Sequence, residues 1–120
     1  MIAIAGCPKS GKTTMAKAMG GVVKHTDDLI HLGWGETSLA ASFWFDDWEV
    51  DVVEGVAVAR ALRKWLDRGP VAGVLEEVIY LTSSKIELGA GQEGMAKSDR
   101  TVWEAIKPEL IKRGIMVTEL

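Results

Sequence analysis

Residues 1–14 read Met-Ile-Ala-Ile-Ala-Gly-Cys-Pro-Lys-Ser-Gly-Lys-Thr-Thr and contain the most specific motif of the chain. Residues 1–5 are a continuous apolar run that stops at a glycine, which predicts a short parallel strand buried on both faces. Residues 6–13 match the pattern G-x-x-x-x-G-K-[ST] at every position, and a helix is predicted from Lys12 to Met19. Motif and context together predict a phosphate-binding loop, or P-loop, between a strand and a helix.

The residue types in this loop suit a nucleotide triphosphate. The glycines let the backbone curl, so that successive N–H groups face the β-phosphate at the positive end of the helix. Lys12 is predicted to reach the β- and γ-phosphates, and Thr13 to offer its hydroxyl to Mg²⁺. The predicted cofactors are therefore ATP or GTP with Mg²⁺. The predicted nucleotide-binding residues are Gly6, Pro8, Lys9, Ser10, Gly11, Lys12, Thr13 and Thr14.

Two residues of the loop have other readings. Lys9 either adds positive charge near the phosphates or is solvated. Cys7 is better explained as a small buried side chain that fills space in the core than as a reactive thiol. The alternative for the whole loop, a glycine-rich turn with a solvated Lys12, does not explain the complete motif.

Strands and helices alternate along the rest of the chain. Apolar runs predict strands at 22–26, 50–53, 74–82 and 115–118, and helical spacing predicts a helix over 58–68. The polar stretch 83–100 is predicted to be helical from about Gly94, and a helical pattern continues to Arg113 with Pro108 as a break or a new start. This alternation predicts a three-layer α/β fold of the P-loop NTPase type, with a five-stranded parallel sheet flanked by helices. The length of 120 residues predicts one domain.

Two segments are candidates for contact with a second substrate. Residues 31–49 form a predicted acceptor-binding region, and residues 83–100 a predicted lid. Phe43, Trp44 and Trp48 recur at helical spacing, which predicts a shared face, and the spacing of Trp44 and Trp48 favours the core over a platform for a base. Trp34, beside two glycines, either stacks on an acceptor ring or caps the core.

Composition limits the partners and the compartment. The formal net charge of -3 disfavours nucleic acid as the main partner, although a local basic patch stays open. A single cysteine leaves no intrachain disulfide and fits a reducing compartment, so we expect a cytoplasmic protein. The apolar start is too short for a signal peptide, and no membrane partner is expected. The small size favours a homodimer.

The chain resembles a known family in four motifs. They are Gly-Cys-Pro-Lys-Ser-Gly-Lys-Thr-Thr at 6–14, Thr-Asp-Asp-Leu at 26–29, Val-Val-Glu-Gly-Val at 52–56 and Val-Ile-Tyr-Leu at 78–81. With these, it resembles the P-loop small-molecule and nucleotide kinases, which include adenylate, shikimate and uridine kinases and the kinase domain of phage polynucleotide kinases. The resemblance implies a phosphotransferase that moves the γ-phosphoryl group of ATP to a small acceptor, such as a nucleoside, a nucleotide or a similar hydroxyl compound.

The resemblance also implies roles for acidic residues at strand ends. Asp27 matches the aspartate that binds the acceptor hydroxyl and takes its proton, a task that needs a carboxylate within hydrogen-bond reach. Asp28 would contact Mg²⁺, and Glu54 would contact metal, water or acceptor. The alternatives are that Asp27 and Asp28 cap the following turn and that Glu54 is an ordinary carboxylate at a strand end.

Cations from two helices complete the predicted site. Arg60 follows the third strand, as an acceptor-binding arginine does in adenylate-type kinases. Lys97 and Arg100 lie in the predicted lid, where this family places cations that bind the acceptor or neutralise the moving phosphoryl group. Each of the three could instead be solvated on a helix surface.

Two other functions remain open from the sequence. One is a non-catalytic or slowly hydrolysing nucleotide-binding module that regulates a partner. The other is a polynucleotide 5′-hydroxyl kinase, suggested by the Gly-Cys-Pro and Asp-Asp motifs and disfavoured by the acidic balance.

Overall fold

Five parallel strands form one sheet within the residues that the structure describes. The computed structural model describes residues 1–7, 10–69, 73–82 and 87–120. The strands are β1 (Ile2–Gly6), β2 (Val23–His25), β3 (Val52–Glu54), β4 (Glu77–Leu81) and β5 (Met116–Glu119). They lie in the order β2-β3-β1-β4-β5, and each neighbouring pair is parallel. This confirms the predicted α/β architecture with its parallel sheet flanked by helices.

Helices cover both faces of the sheet. They are α1 (Lys12–Met19), α2 (Trp34–Ser42), α3 (Val58–Asp67) and α4 (Ala90–Lys112), and 3₁₀ segments at Thr26–Leu32 and Phe43–Asp46 flank α2. On one face, Ala16 of α1 packs against Ile4. On the other face, Leu62 of α3 and Trp103 of α4 are fully buried. Successive side chains of a strand point to opposite faces of the sheet, so β1 contributes to the apolar core on each face. This explains why its sequence is apolar without interruption.

The aromatic residues before β3 differ from the prediction. Helix α2 ends at Ser42, and Phe43 and Trp44 lie in the following 3₁₀ segment. Phe45 is fully buried, with its ring centroid 5.9 Å from that of Trp65, whereas Trp48 is 79% exposed. The prediction that Trp48 lies in the core is therefore wrong, and the predicted shared face is not formed, since Phe43 and Trp48 are both exposed. The tighter 3₁₀ spacing turns Phe45 inward instead, and Trp44 is partly buried against the core.

Helix α4 is longer and more regular than predicted. It runs without interruption from Ala90, four residues before the predicted start, and it passes through Pro108. The backbone N–H of Gly89 donates to Gln92 Oε1 at 3.1 Å, which satisfies a donor at the start of the helix. Pro108 is exposed, so the carbonyl that it leaves without a helical partner can bind water. The predicted break at Pro108 is therefore wrong.

The predicted lid largely coincides with the first part of α4. Residues 90–100 belong to this helix, residues 87–89 precede it, and residues 83–86 lie outside the described residues. Helix α4 packs on α3 and on β5, which fixes its position over the sheet. The role of this segment as a lid stays a prediction.

None of the helices in the described segments has both the length and the apolar composition needed to cross a bilayer. The longest of them, α4, carries charged side chains along its length, including Glu93, Lys97, Arg100 and Glu104. Charged groups at these positions would be expensive to place in hydrocarbon.

Candidate functional site

The carboxyl ends of neighbouring strands bring the predicted site residues to one edge of the sheet. Gly6 at the end of β1 pairs with Leu81 of β4, and His25 at the end of β2 pairs with Glu54 of β3. Because all four strands are parallel, these ends face the same side. In open α/β sheets this is the side at which ligands bind.

The backbone of the phosphate-binding loop requires glycine at two described positions. Gly6 has φ +147°, and a Cβ there would lie 2.6 Å from the carbonyl oxygen of Leu81. Gly11 has φ 95° and immediately precedes α1. Side chains disfavour both conformations, so the glycines set the path of the chain into the helix. Pro8 and Lys9 lie outside the described residues, so their contacts with a nucleotide stay predictions.

Lys12 is held inside the loop rather than in solvent. Only 7% of its surface is exposed, and its ammonium donates to the carbonyl oxygen of Cys7 at 2.6 Å and to Ser10 Oγ at 3.2 Å. Burial lowers the pKa of Lys12, and the charge of Glu54 acts in the opposite direction. A desolvated cation at this position favours an anionic partner. The alternative of a solvated Lys12 is therefore wrong. Cys7 is itself buried, as expected of a filler.

Thr13 and Glu54 meet at the start of α1. Thr13 Oγ1 lies 3.1 and 3.0 Å from the two carboxylate oxygens of Glu54 and donates to them. Nδ1 of His25 lies 3.3 Å from Glu54 Oε1. Glu54 is only 1% exposed, so it is not an ordinary carboxylate at a strand end. The Thr13 hydroxyl and the buried Glu54 carboxylate therefore bring oxygen atoms, which are potential ligands for a metal ion, to the same point.

A cavity of about 260 Å³ opens beside this pair. It is lined by Thr13, Lys17, His25, Asp27, Asp28 and Glu54. Asp27 and Asp28 are exposed in the first turn of the 3₁₀ segment, and neither forms a hydrogen bond or ion pair with another described residue. Neither carboxylate is therefore used as a cap there, and both remain available to a ligand.

The donor set fits Mg²⁺ bound together with phosphates. No group of three or more histidine, cysteine, aspartate or glutamate side chains in the described part of the chain is placed to hold a metal alone. Mg²⁺ usually keeps several waters and takes one or two protein ligands with substrate phosphates. The Thr13 hydroxyl and the Glu54 carboxylate match that requirement, with Asp28 in the same cavity.

A second cavity of about 430 Å³ lies on the other side of the loop. Its lining is largely apolar and consists of Ser10, Gly11, Thr14, Met15, Ala18, Leu81 and Leu120. Ser10, Gly11 and Thr14 are predicted nucleotide-binding residues, so the structure brings three of them to one wall. Apolar lining with few polar groups suits the flat face of a base.

A buried charge pair lies between α3, α4 and β4. Asp99 is 1% exposed, and its Oδ2 accepts a hydrogen bond from the Tyr80 hydroxyl at 3.1 Å. Arg60 Nη1 lies 3.6 Å from Asp99 Oδ1, and Arg60 Nη2 donates to Ser98 Oγ at 2.9 Å. Burial, followed by the charge of Asp99, raises the pKa of Tyr80, so the phenol keeps its proton and acts as the donor.

Three further predicted residues, Trp34, Arg100 and Lys97, line neither of the two cavities described above. Trp34, the first residue of α2, is 41% exposed, and the Arg60 guanidinium carbon lies 5.9 Å from its ring centroid, so Trp34 is not a core residue. Arg100 Nη2 donates to the carbonyl oxygen of Thr82 at 2.9 Å, just past the end of β4. The Lys97 side chain is exposed, and it forms no hydrogen bond or ion pair with a predicted site residue among the described segments.

The free energy of unfolding should depend on the protonation of Asp99. Burial raises the pKa of Asp99 from 3.8 to about 6, although the Tyr80 hydrogen bond and the Arg60 charge oppose this. Between these values the folded state keeps a proton that the unfolded chain has released, so rising pH removes stability. We expect wild type to lose about 2 kcal/mol relative to Asp99→Asn between about pH 4 and pH 6.5. Urea unfolding of both proteins across this range measures it, and parallel curves would contradict it.

No protein-family model matches the chain, and no curated protein matches it at a significant level. What the chain does must therefore be inferred from its own residues and their geometry.

Sequence reasoning missed three residues of this region. His25 was assigned no role, yet the parallel register sets it beside Glu54. Tyr80, although part of the motif at 78–81, and Asp99 have no predicted role, because they meet only when α4 packs across the end of β4. The signal for His25 was its place at a strand end next to Asp27, whereas a lone aspartate within a helical pattern carries no comparable signal.

Proposed function

We propose that this chain is a P-loop kinase that transfers the γ-phosphoryl group of ATP to a hydroxyl of a small acceptor. The observation that carries the proposal is the arrangement around Lys12. A buried ammonium lies in a complete phosphate-binding loop, and the next residue, Thr13, faces the buried Glu54. A structural role alone would not need a desolvated lysine next to a paired hydroxyl and carboxylate.

The residues of the loop would bind and orient the triphosphate. Backbone N–H groups of residues 10–13 at the start of α1 suit the β-phosphate, and the Lys12 ammonium would exchange its contact with the Cys7 carbonyl for phosphate oxygens. Thr13 and Glu54 would hold Mg²⁺, with Asp28 nearby. Mg²⁺ bound there supplies positive charge against the phosphate oxygens. The apolar cavity at Met15, Ala18 and Leu81 fits the base.

The acceptor would approach from the side of the smaller cavity. Asp27 lines that cavity together with Thr13, and its carboxylate is exposed and free to accept the acceptor's proton. Thr26, which precedes Asp27, is 1% exposed, so the backbone that carries the base is firmly fixed. Arg100 and Lys97 remain candidates for charge neutralisation and acceptor contact as the phosphoryl group moves.

A regulatory nucleotide-binding module is the second candidate. The exposure of Trp34 and Phe43 favours it, since exposed aromatic rings also suit contact with a protein partner. A polynucleotide kinase is less well supported, because the residues around the candidate base are mainly acidic: Asp27, Asp28 and Glu54.

Acceptor-stimulated release of ADP from ATP and Mg²⁺ tests the kinase proposal. The acceptors would be nucleosides, nucleotides, small hydroxyl compounds and 5′-hydroxyl oligonucleotides. We expect one class to stimulate turnover and Asp27→Asn to lower kcat by about 10²- to 10³-fold with ATP affinity retained, as expected of a general base. Asp67→Asn, a change of an exposed carboxylate at the end of α3, is the matched control. If ATP binds but no acceptor class stimulates turnover, the regulatory module becomes the better explanation.

A further inference from the structure

The contact between His25 and Glu54 is set by the pairing of two strands. Strands β2 and β3 are parallel, and His25 and Glu54, the last residue of each, are Cα partners. Paired residues of neighbouring strands point to the same face of a sheet, so their side chains meet. Nδ1 of the imidazole lies 3.3 Å from Oε1 of the carboxylate. The contact therefore depends on strand register rather than on the path of a loop.

The backbone that carries these two side chains is fixed on both strands. Thr26, which follows His25, is 1% exposed, and so is Glu54. Gly55, which follows Glu54, comes so close to Thr26 that a Cβ there would overlap the Thr26 hydroxyl. The N–H of Gly55 also donates to the carbonyl oxygen of Ile4 on β1 at 3.3 Å. His25 therefore has a defined position relative to Glu54, which a residue needs if it is to orient another one.

Thr13 alone does not define how the Glu54 carboxylate is turned. Its Oγ1 lies 3.1 and 3.0 Å from the two carboxylate oxygens, but a hydroxyl has one hydrogen and can satisfy one of them at a time. His25 supplies a second contact, at Oε1. A distance of 3.3 Å is slightly long for an N–H···O hydrogen bond, and such contacts commonly shorten when substrate binds. Thr13 and His25 together can therefore fix the plane of the carboxylate.

His25 also belongs to the wall of the smaller cavity. Its side chain is 27% exposed and lines this cavity together with Thr13, Asp27 and Glu54. The proposed metal position lies at Thr13 and Glu54, so the imidazole reaches the carboxylate from within the site. Replacing His25 should therefore affect first the residues that are proposed to hold the metal.

We propose that His25 is a positioning residue for metal binding: its imidazole orients the Glu54 carboxylate, so that Glu54 and Thr13 are aligned for the Mg²⁺ that accompanies the triphosphate. This inference rests on the proposed kinase function and assigns a further residue to its site. Side chains that hydrogen-bond to a metal-binding carboxylate fix its orientation, and their loss typically weakens metal binding about 10- to 100-fold. Mg²⁺ is sensitive to such changes, because it requires nearly ideal octahedral geometry.

Calorimetric titration with a non-hydrolysable ATP analogue, once with Mg²⁺ and once with EDTA instead, tests the inference. The ratio of the two dissociation constants measures how much the metal contributes to nucleotide binding. For wild type we expect Mg²⁺ to tighten binding at least about tenfold. A packing role for His25 would affect both dissociation constants or neither, whereas a positioning role affects only the one measured with Mg²⁺.

Two substitutions separate the ring nitrogen from the ring. His25→Phe keeps a planar ring without the nitrogen, so the tightening by Mg²⁺ should fall about tenfold, with the affinity in EDTA within about twofold of wild type. His25→Asn removes the ring but places an amide nitrogen near the position of Nδ1, so the tightening should stay within about threefold of wild type. His31→Phe, the same change at an exposed histidine that lines neither described cavity, should leave both affinities unchanged. Thermal unfolding of each variant shows whether it is folded.

Three results would overturn the positioning role. The first is wild-type tightening in folded His25→Phe, and the second is an equal loss in His25→Asn and His25→Phe; in either case the ring nitrogen does not orient Glu54. The third comes from pulsed electron paramagnetic resonance of wild type with Mn²⁺ in place of Mg²⁺. We expect no coupling of Mn²⁺ to a histidine nitrogen, and a coupling that is lost in His25→Phe would make His25 a direct ligand.

The same titrations distinguish failure of this inference from failure of the kinase proposal. If wild type binds the analogue equally well with and without Mg²⁺, the role of His25 is overturned and nucleotide binding stands. If wild type binds the analogue under neither condition, the proposed function itself fails, and the role of His25 fails with it.

Discussion

Lys12→Ala should reduce the affinity for ATP by about 100-fold and abolish detectable phosphoryl transfer, because it removes the buried ammonium that is aligned within the phosphate-binding loop. Truncating a buried, hydrogen-bonded charge at a binding site typically costs 2–5 kcal/mol or more. Lys12 is 7% exposed, already aligned by Cys7 and Ser10, and surrounded by poorly solvated groups. Its charge therefore acts on phosphate with little screening. Equilibrium titration with ATP and Mg²⁺ measures the effect.

The same substitution should not destabilise the fold by a comparable amount. Burial lowers the pKa of Lys12, which means that the folded state disfavours the protonated, charged form of this side chain. Urea unfolding of Lys12→Ala should therefore give a free energy within about 1 kcal/mol of wild type. Lys112→Ala, an exposed lysine at the end of α4, serves as the control and should bind ATP normally. Unchanged ATP affinity in folded Lys12→Ala would refute nucleotide binding at this loop.

Gly55→Ala should lower the free energy of unfolding by about 3 kcal/mol or more. A Cβ at Gly55 would overlap Thr26 Oγ1 and lie 2.8 Å from Thr26 Cβ, and the φ of +142° is itself unfavourable for alanine. Overpacking and backbone strain each cost about 1–3 kcal/mol. Thr26 is buried and cannot move away without shifting the end of β2. Chemical denaturation provides the measurement.

Gly94→Ala is the matched control for this prediction. Gly94 lies within α4, has no positive φ, and its added Cβ would meet no atom of the described segments within 4 Å. Alanine there should be neutral or stabilising by up to about 1 kcal/mol. If Gly55→Ala is as mild as Gly94→Ala, the close approach of Thr26 to Gly55 is not present in solution. Thr26 precedes Asp27 and Gly55 follows Glu54, so this contact adjoins two residues that line the smaller cavity.

Elements with a local sequence pattern could be predicted without the structure. The apolar run of residues 1–5, the complete loop motif and Lys12–Met19 could be placed correctly because strand, turn and helix signals follow one another without conflict. Helix α3 was placed almost to the residue, and Val58, Leu62 and Trp65 lie on its buried face. The alternation of strands and helices was enough to predict a parallel sheet. The same reasoning placed Asp27 and Glu54 at strand ends on one edge.

Which side chains meet across that edge depends on how the elements pack and could not be predicted. Phe45 rather than Trp48 is in the core because the chain changes to 3₁₀ geometry after Ser42, and α4 runs through Pro108 because that position faces solvent. The pairing of His25 with Glu54 depends on strand register, and that of Asp99 with Tyr80 and Arg60 on the packing of α4. Periodicity records which face of an element is apolar, whereas contacts between distant polar residues depend on the packing of whole elements, which local sequence does not encode.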